Sequence, residues 1–238
     1  MYQCVNCGTQ VEELYRQYSP NVLKLLKCET CGHLADMYIE YDPVIILVDL
    51  LLLEKRAYRH LLYNCDLKAC WKLVIILWLV ESFRNLYLCD NENNNEYIQS
   101  WRSLQRNLDA HCNLYLILFK TAIALAAFVA VVILLTKVKW YFYPTDRTKC
   151  DVNHLTKGLI IGGSGKLLGL LEIIWGHIFS APHYFLILGY TLLCLFTVYS
   201  VVSNNRKLES LIILGTGITV YSYTPDIVSA TLKTLQFI

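Results

Sequence analysis

Apolar residues gather in long blocks through the last two-thirds of this chain, whereas the first 40 or so residues mix short apolar runs with polar ones. The block at 114 to 136 is apolar except at Lys120 and Thr121 near its start and its closing Thr136, and Lys137 and Lys139 follow its end. A second block covers 184 to 203. Each is about 20 residues long, enough for a helix to cross a hydrocarbon layer roughly 30 Å thick, so both are expected to span a membrane. Three further blocks break the pattern. Residues 73 to 88 carry Glu81 and Arg84, 158 to 179 carry several glycines with Lys166 and Glu172, and the run after Leu208 meets Pro225. The pattern predicts a membrane all-α protein with four to five transmembrane helices in residues 67 to 238.

Glu81 and Arg84 lie three residues apart, where a helix brings them to one face. They read as a local ion pair serving helix assembly, with a transport role as the alternative. The glycines suit either close packing on a neighbouring helix or a broken segment lining a cavity. Asp90 to Glu96 is a polar, low-complexity stretch expected to form a disordered loop. If the chain crosses at Pro225, its end lies opposite the side it reaches by folding back there.

Cys4-Val-Asn-Cys7-Gly8 and Cys28-Glu-Thr-Cys31-Gly32 are two copies of C-x-x-C-G with 20 residues between them. Two intervening residues let one tight turn aim both sulfurs at a single ion, and the following Gly accepts the positive φ of that turn. Cys4, Cys7, Cys28 and Cys31 are therefore the expected ligands of one structural zinc ion, with no open position for catalysis. Two disulfides are the alternative in an oxidising compartment, and nothing nearby has the βαβ pattern of a thioredoxin-like redox site. Residues 1 to 42 are expected to form a zinc ribbon, with strands around Tyr15 to Tyr18 and Val22 to Leu26 and another at Met37 to Tyr41.

Residues 43 to 66 follow as an expected interfacial amphipathic helix. Val44 to Leu53 is apolar except at Asp49 and too short to span, and Lys55, Arg56, Tyr58, Arg59 and His60 are the candidate membrane-surface residues. A helix packed on the ribbon is the competing reading.

Composition strengthens the membrane assignment, because 55% hydrophobic and 17% charged residues exceed the apolar balance of a soluble domain. A net charge of +2, with Arg16, Lys24 and Lys27 matched by Glu12, Glu13, Glu29 and Asp36, disfavours a nucleic-acid partner. The opening residues do not read as a cleaved signal peptide. Lys137, Lys139, Arg147, Lys149 and Lys157 place their loop on the cytosolic side by the positive-inside rule, and residues 89 to 113 on the lumenal side. Counting back one span puts the cysteine head in the cytosol. Cys89 and Cys112 then fall in the lumen, either bridged or unpaired.

Several patterns are decoys. Gly162-Gly-Ser-Gly-Lys166 lacks both the leading Gly and the trailing Ser or Thr of a phosphate loop, and Lys166 occupies the last Gly of G-x-S-x-G. His154, His177 and His183 lack metal-ligand spacing. A sterol-contact pattern from Val138 to Arg147 also fits Leu14, Tyr18 and Lys24 in the head, so it discriminates little. No acid, base and nucleophile converge, so an enzyme is not expected.

The paired C-x-x-C-G knuckles, Tyr38-Ile-Glu-Tyr-Asp-Pro43, and Ala57-Tyr-Arg-His60 followed by Asn64 resemble the Arv family of endoplasmic reticulum membrane proteins. The resemblance is close over about the first 65 residues. It implies a multi-pass protein of that membrane acting in sterol distribution, with effects on sphingolipids and glycosylphosphatidylinositol (GPI) precursors. The implied partners are membrane lipids, sterol among them. A zinc-ribbon scaffold or accessory subunit recruiting a lipid-modifying or GPI-assembly enzyme is the alternative.

Overall fold

The computed structural model describes residues 2–19, 22–65, 70–96, 113–142, 152–170, 181–203 and 207–236. The head holds two small antiparallel pairs, β1 (Tyr2–Gln3) with β2 (Gln10–Val11) and β3 (Tyr15–Ser19) with β4 (Val22–Leu25). β3 is exposed along its whole length, and the buried hydrophobic side chains here are few, among them Val5, Leu14 and Tyr38. Such a core is too small to hold the head by itself. Met37 to Tyr41 does not form the expected strand: residues Tyr38–Glu40 make a 3₁₀ turn. The Tyr38 amide donates to Asp36 Oδ1 at 3.0 Å instead of to a ladder, and its hydroxyl donates to Asp49 at 2.8 Å. A side-chain acceptor two residues back favours a turn over a strand.

The single helix expected over 43 to 66 is also corrected. α1 (Pro43–Leu51) starts with Pro at its first turn, α2 (Lys55–Arg59) is separate, and a π turn covers His60–Asn64. Leu53 breaks the run with a φ of +63°, in the left-handed region that L side chains avoid. Its side chain packs against the main core, and the Glu54 amide donates to the Asp49 carbonyl at 2.9 Å.

Among the described residues five longer helices follow: α3 (Cys70–Glu96), α4 (Leu114–Phe142), α5 (Val152–Gly163), α6 (Ala181–Ser203) and α7 (Lys207–Gln236). α4 packs most extensively on α7, and α5 on α6. Phe128, Val132, Leu155, Leu159, Val198 and Leu214 lie in their shared core, which Tyr58 and Leu62 enter from the linker. Among the described residues, three helical stretches are long and apolar enough to cross a membrane: Leu114–Phe142, Phe185–Ser203 and Leu208–Leu232. α3 is long but carries Lys72, Glu81 and Arg84, and it continues through Asp90 to Glu96, where a disordered loop was expected. α7 runs on through Pro225, which removes the fold-back alternative. Cys89 is disulfide-bonded, and Cys112 lies outside the described residues.

Both readings of the glycine-rich segment hold in part. α5 gives way to a 3₁₀ turn at Ser164–Leu168, and its glycines let α6 approach. A Cβ on Gly162 would lie 3.0 Å from the Leu195 Cα, and one on Gly165 would lie 3.0 Å from the Thr191 Cα. Backbone cannot yield as a side-chain tip can, so Gly162→Val is expected to cost about 1–3 kcal/mol by forcing the helices apart. Gly163→Ala, whose nearest neighbour would be Leu77 Cδ1 at 3.8 Å, is the control. Thermal unfolding in detergent checks the pair, and equal midpoints would contradict the packing.

Candidate metal centre and its clamp to the membrane region

Each C-x-x-C-G segment closes the same turn. The Gly8 amide donates to the Cys4 carbonyl at 2.9 Å and the Gly32 amide to the Cys28 carbonyl at 2.8 Å. Both glycines adopt positive φ, +81° and +72°. Beyond each turn the chain folds back: the Cys4 amide donates to Thr9 and the Cys28 amide to His33. The two turns are linked by the Val5 amide donating to Ala35 O at 2.9 Å and the Ala35 amide donating to Leu26 O at 2.8 Å.

These turns bring the four sulfurs together, all within 4.8 Å of one another. Cys4 Sγ to Cys31 Sγ is 3.8 Å and Cys7 Sγ to Cys28 Sγ is 3.7 Å. A tetrahedron of thiolates at 2.3 Å from zinc has edges of roughly 3.8 Å, while a disulfide would need about 2.05 Å. The four cysteines are free thiols and fit one metal ion. Burial pushes the Cys4 thiol up to about 12. At Cys7 burial acts the same way, but hydrogen bonds from Thr9 prevail and bring it down to about 6. Four thiolates packed this closely repel one another, so they ionise together only when a cation compensates their charge.

The second half of the site is a polar clamp. Asp36, fully buried, presents Oδ2 to His60 Nδ1 at 2.7 Å and to Asn64 Nδ2 at 2.7 Å. Asn64 also accepts from the Gln3 amide and donates to the Gln3 carbonyl, both at 2.9 Å. Arg59 Nη1 donates to the carbonyls of Val5 at 2.9 Å and Asn6 at 2.7 Å, inside the first knuckle. Arg59, His60 and Asn64 thus tie the metal turns to the linker. Tyr58 and Leu62 tie the linker to the helical core.

The candidate membrane-surface residues divide. Lys55 and Arg56 are exposed, Arg59 is half-buried, and Tyr58 and His60 lie inside the protein at 3% and 6% exposure. The expectation that Tyr58 and His60 meet a membrane surface is therefore corrected. A turn of α2 and the π turn point one side at the head and the other at the bundle, leaving neither ring for solvent. α1 is the opposite case. It has no buried residue, and Val44, Leu47, Leu51 and Leu52 are among its exposed apolar side chains and those just beyond it. Tyr190 donates to the Leu51 carbonyl at 2.9 Å and Lys55 to Ser200 at 3.4 Å, so this segment lies alongside α6.

In the sequence Asp36 reads only as one of the acids balancing the head's basic residues, and Cys65 carries no signal at all. Cys65 Sγ sits 3.1 Å from His60 Nε2, completing the order of nucleophile, base and orienting acid. Neither spacing nor motif signals this arrangement. Here the imidazole and carboxylate are enclosed, and Asp36 is engaged by Tyr38 and Asn64 as well, so the contacts serve as a tether.

Burial opposes charge on His60, but the Asp36 carboxylate overcomes it and holds the imidazole at about 9. A folded value above the unfolded 6.5 means the stabilisation is fully present below pH 6.5 and is lost as pH rises through about 9. The head's attachment is expected to weaken over that window by on the order of 3 kcal/mol. Thermal unfolding of the whole chain from pH 6.5 to 9.5 measures it. His60→Gln should flatten the slope, and an unchanged slope would assign it elsewhere.

The Arv1-like family model matches residues 3–201. The chain is 33% identical over 218 residues to Protein ARV1 of Homo sapiens, covering 90% of this chain and 77% of that protein. It is 28% identical over 194 residues to Protein arv1 homolog of Dictyostelium discoideum, covering 74% of this chain and 75% of that protein. Protein ARV 2 of Arabidopsis thaliana is 44% identical over 92 residues, covering 36% of this chain and 40% of that protein. No solved structure matches. With a family model that extends from the first metal turn through most of the helical bundle, this chain belongs to the Arv1-like family.

Proposed function

We propose that this chain is a structural-zinc protein of the endoplasmic reticulum membrane that acts in sterol and lipid distribution, with effects on sphingolipids and GPI precursors, and is not an enzyme. Its head lies in the cytosol, where thiolates stay reduced. The observation that carries the reading is the clamp. A four-cysteine centre is joined by Arg59, His60 and Asn64 to a segment whose apolar helix α1 packs Ile46 and Leu50 on the head and leaves Val44, Leu47, Val48 and Leu51 exposed, beside membrane-length helices. Exposed Lys55 and Arg56 just beyond α1 suit the headgroups above an apolar face resting in a bilayer. Zinc holds the head in the shape that positions α1.

The second reading makes the head a scaffold for a lipid-modifying or GPI-assembly enzyme. Tyr15, Tyr18, Val22 and Leu23, exposed on the β3–β4 pair, favour it by offering an apolar surface away from the bundle. Mass spectrometry of lipids retained by the detergent-purified protein, with identification of co-purifying subunits, separates the two. Retained sterol or glycolipid without a partner supports lipid handling, and an enzyme partner without lipid supports the scaffold. Recovery of neither would defeat both.

A further inference from the structure

All five long helices contribute to a cavity of ≈ 140 Å³, lined almost entirely by apolar side chains such as Leu77, Val129, Leu159 and Leu195. Its polar members include Lys166 and Tyr221. Lys166 Nζ donates to Glu81 Oε1 at 3.1 Å, the Tyr221 hydroxyl donates to the same oxygen at 2.6 Å, and Nζ stands 4.0 Å from the centre of the Tyr221 ring. Arg84 Nη1 lies 4.0 Å from that carboxylate. The local Glu81–Arg84 pair expected from spacing is therefore one edge of a group drawn from α3, α7 and the 3₁₀ turn after α5.

Depth makes the group unusual. Glu81 is about 11 residues into α3, Tyr221 about 14 into α7, and Lys166 just beyond the 12-residue α5. Tyr221 lies near the middle of the membrane-length stretch Leu208–Leu232, and its contacts with Glu81 and Lys166 bring both beside that midpoint. Ionisable groups at that depth are costly and mark ligand paths. A helix broken there, as α5 is at Ser164, is how membrane proteins build a midplane binding site.

We propose that this cavity binds the first few carbons of one lipid acyl chain, with Lys166 meeting the anionic oxygen of its polar end. Resting on the lipid-handling reading, the proposal names the ligand class. Volume limits what fits: a void of about 150 Å³ holds a single benzene ring, so this cavity takes a stretch of on the order of six carbons and not a rigid fused-ring sterol. The rest of a flexible chain can leave between the helices, which a rigid ring system cannot do. An ammonium carries three N–H donors, of which Glu81 takes one, so Lys166 can direct another to a carboxylate or phosphate in the cavity.

The test uses the full chain in nanodiscs with three diazirine probes: a fatty acid, a phospholipid labelled in one acyl chain, and a sterol. Crosslinks are mapped by peptide mass spectrometry. Acyl probes are expected to label the cavity walls of α4, α5 and α6, with the better of the two identifying a carboxylate or a phosphate end. Val129→Trp should abolish that labelling, and Lys166→Met should lower it about tenfold, with Lys166→Arg restoring much of it. Sterol labelling of the cavity walls in place of acyl labelling would overturn the proposal and leave the lipid-handling reading intact. Acyl labelling confined to the outer surface would overturn it as well, while retained-lipid analysis judges the broader reading separately. The wild-type map decides the site even if a variant does not fold.

Discussion

The Cys28→Ser variant is expected to lose its metal ion and, with it, the fold of residues 2 to 36. The head buries few apolar side chains, so the four sulfurs gathered within 4.8 Å are its main cross-link. Structural zinc sites contribute on the order of 10 kcal/mol of binding free energy, and in a core this small that is folding free energy. A serine hydroxyl at this position is a poor ligand at neutral pH, and the two turns would be joined only by backbone hydrogen bonds such as Val5 to Ala35. Metal analysis of the purified full chain should show one zinc per wild-type protein and much less than one in the variant. Protease should then cut readily between residues 5 and 35. A metal-free wild type that resists protease would show that the head folds without an ion.

Asp36→Ala is expected to detach the head from the membrane region without emptying the metal site. The carboxylate is fully buried and serves His60, Asn64 and the Tyr38 amide at once. Removing one partner of a buried charged pair typically costs about 3–5 kcal/mol, because the remaining group stays enclosed and unpaired. Arg59 still grips Val5 and Asn6, so the head should be loosened on its tether rather than lost. Zinc content should remain at one per chain while cleavage between residues 36 and 60 accelerates by at least about 100-fold. His60→Ala should add little to Asp36→Ala, since residues sharing one network are not additive. Unchanged proteolysis of Asp36→Ala, or full additivity with His60→Ala, would show that this carboxylate does not hold the two parts together.

Much of the metal centre was legible in the chain itself because a C-x-x-C-G turn is local. The ligand spacing and the glycine at positive φ lie within five residues, and the family resemblance rested on these turns together with Tyr38 to Pro43, Ala57 to His60 and Asn64. Asp36 could not be read that way. It looked like one of several acids balancing the basic residues of the head, and only its approach to His60, 24 positions away, reveals it as the centre of the clamp. Tyr58 and His60 misled for a related reason. A basic, aromatic segment after an apolar run suits a membrane surface, and periodicity alone does not say which protein surface will cover it.

The membrane portion divides along the same line. Composition and block length determined that 114 to 136 and 184 to 203 would be apolar helices of membrane length, which the structure extends or trims to Leu114–Phe142 and Phe185–Ser203, because hydropathy over about 20 residues is a property of one segment. The paired cysteines likewise determined a four-thiol site, because two tight turns dictate where their own sulfurs point. Tertiary structure alone decided that Glu81 meets Lys166 across 85 positions and Tyr221 across 140, converting an expected i,i+3 pair into a larger charged group beside a cavity. It also decided that α1 is a helix of its own, ended at Leu51 with the chain turned at Leu53, and that Gly162 and Gly165 face the α6 backbone. Local patterns specify turns, faces and lengths, but distant charges pair and helices approach only through packing that no single segment contains.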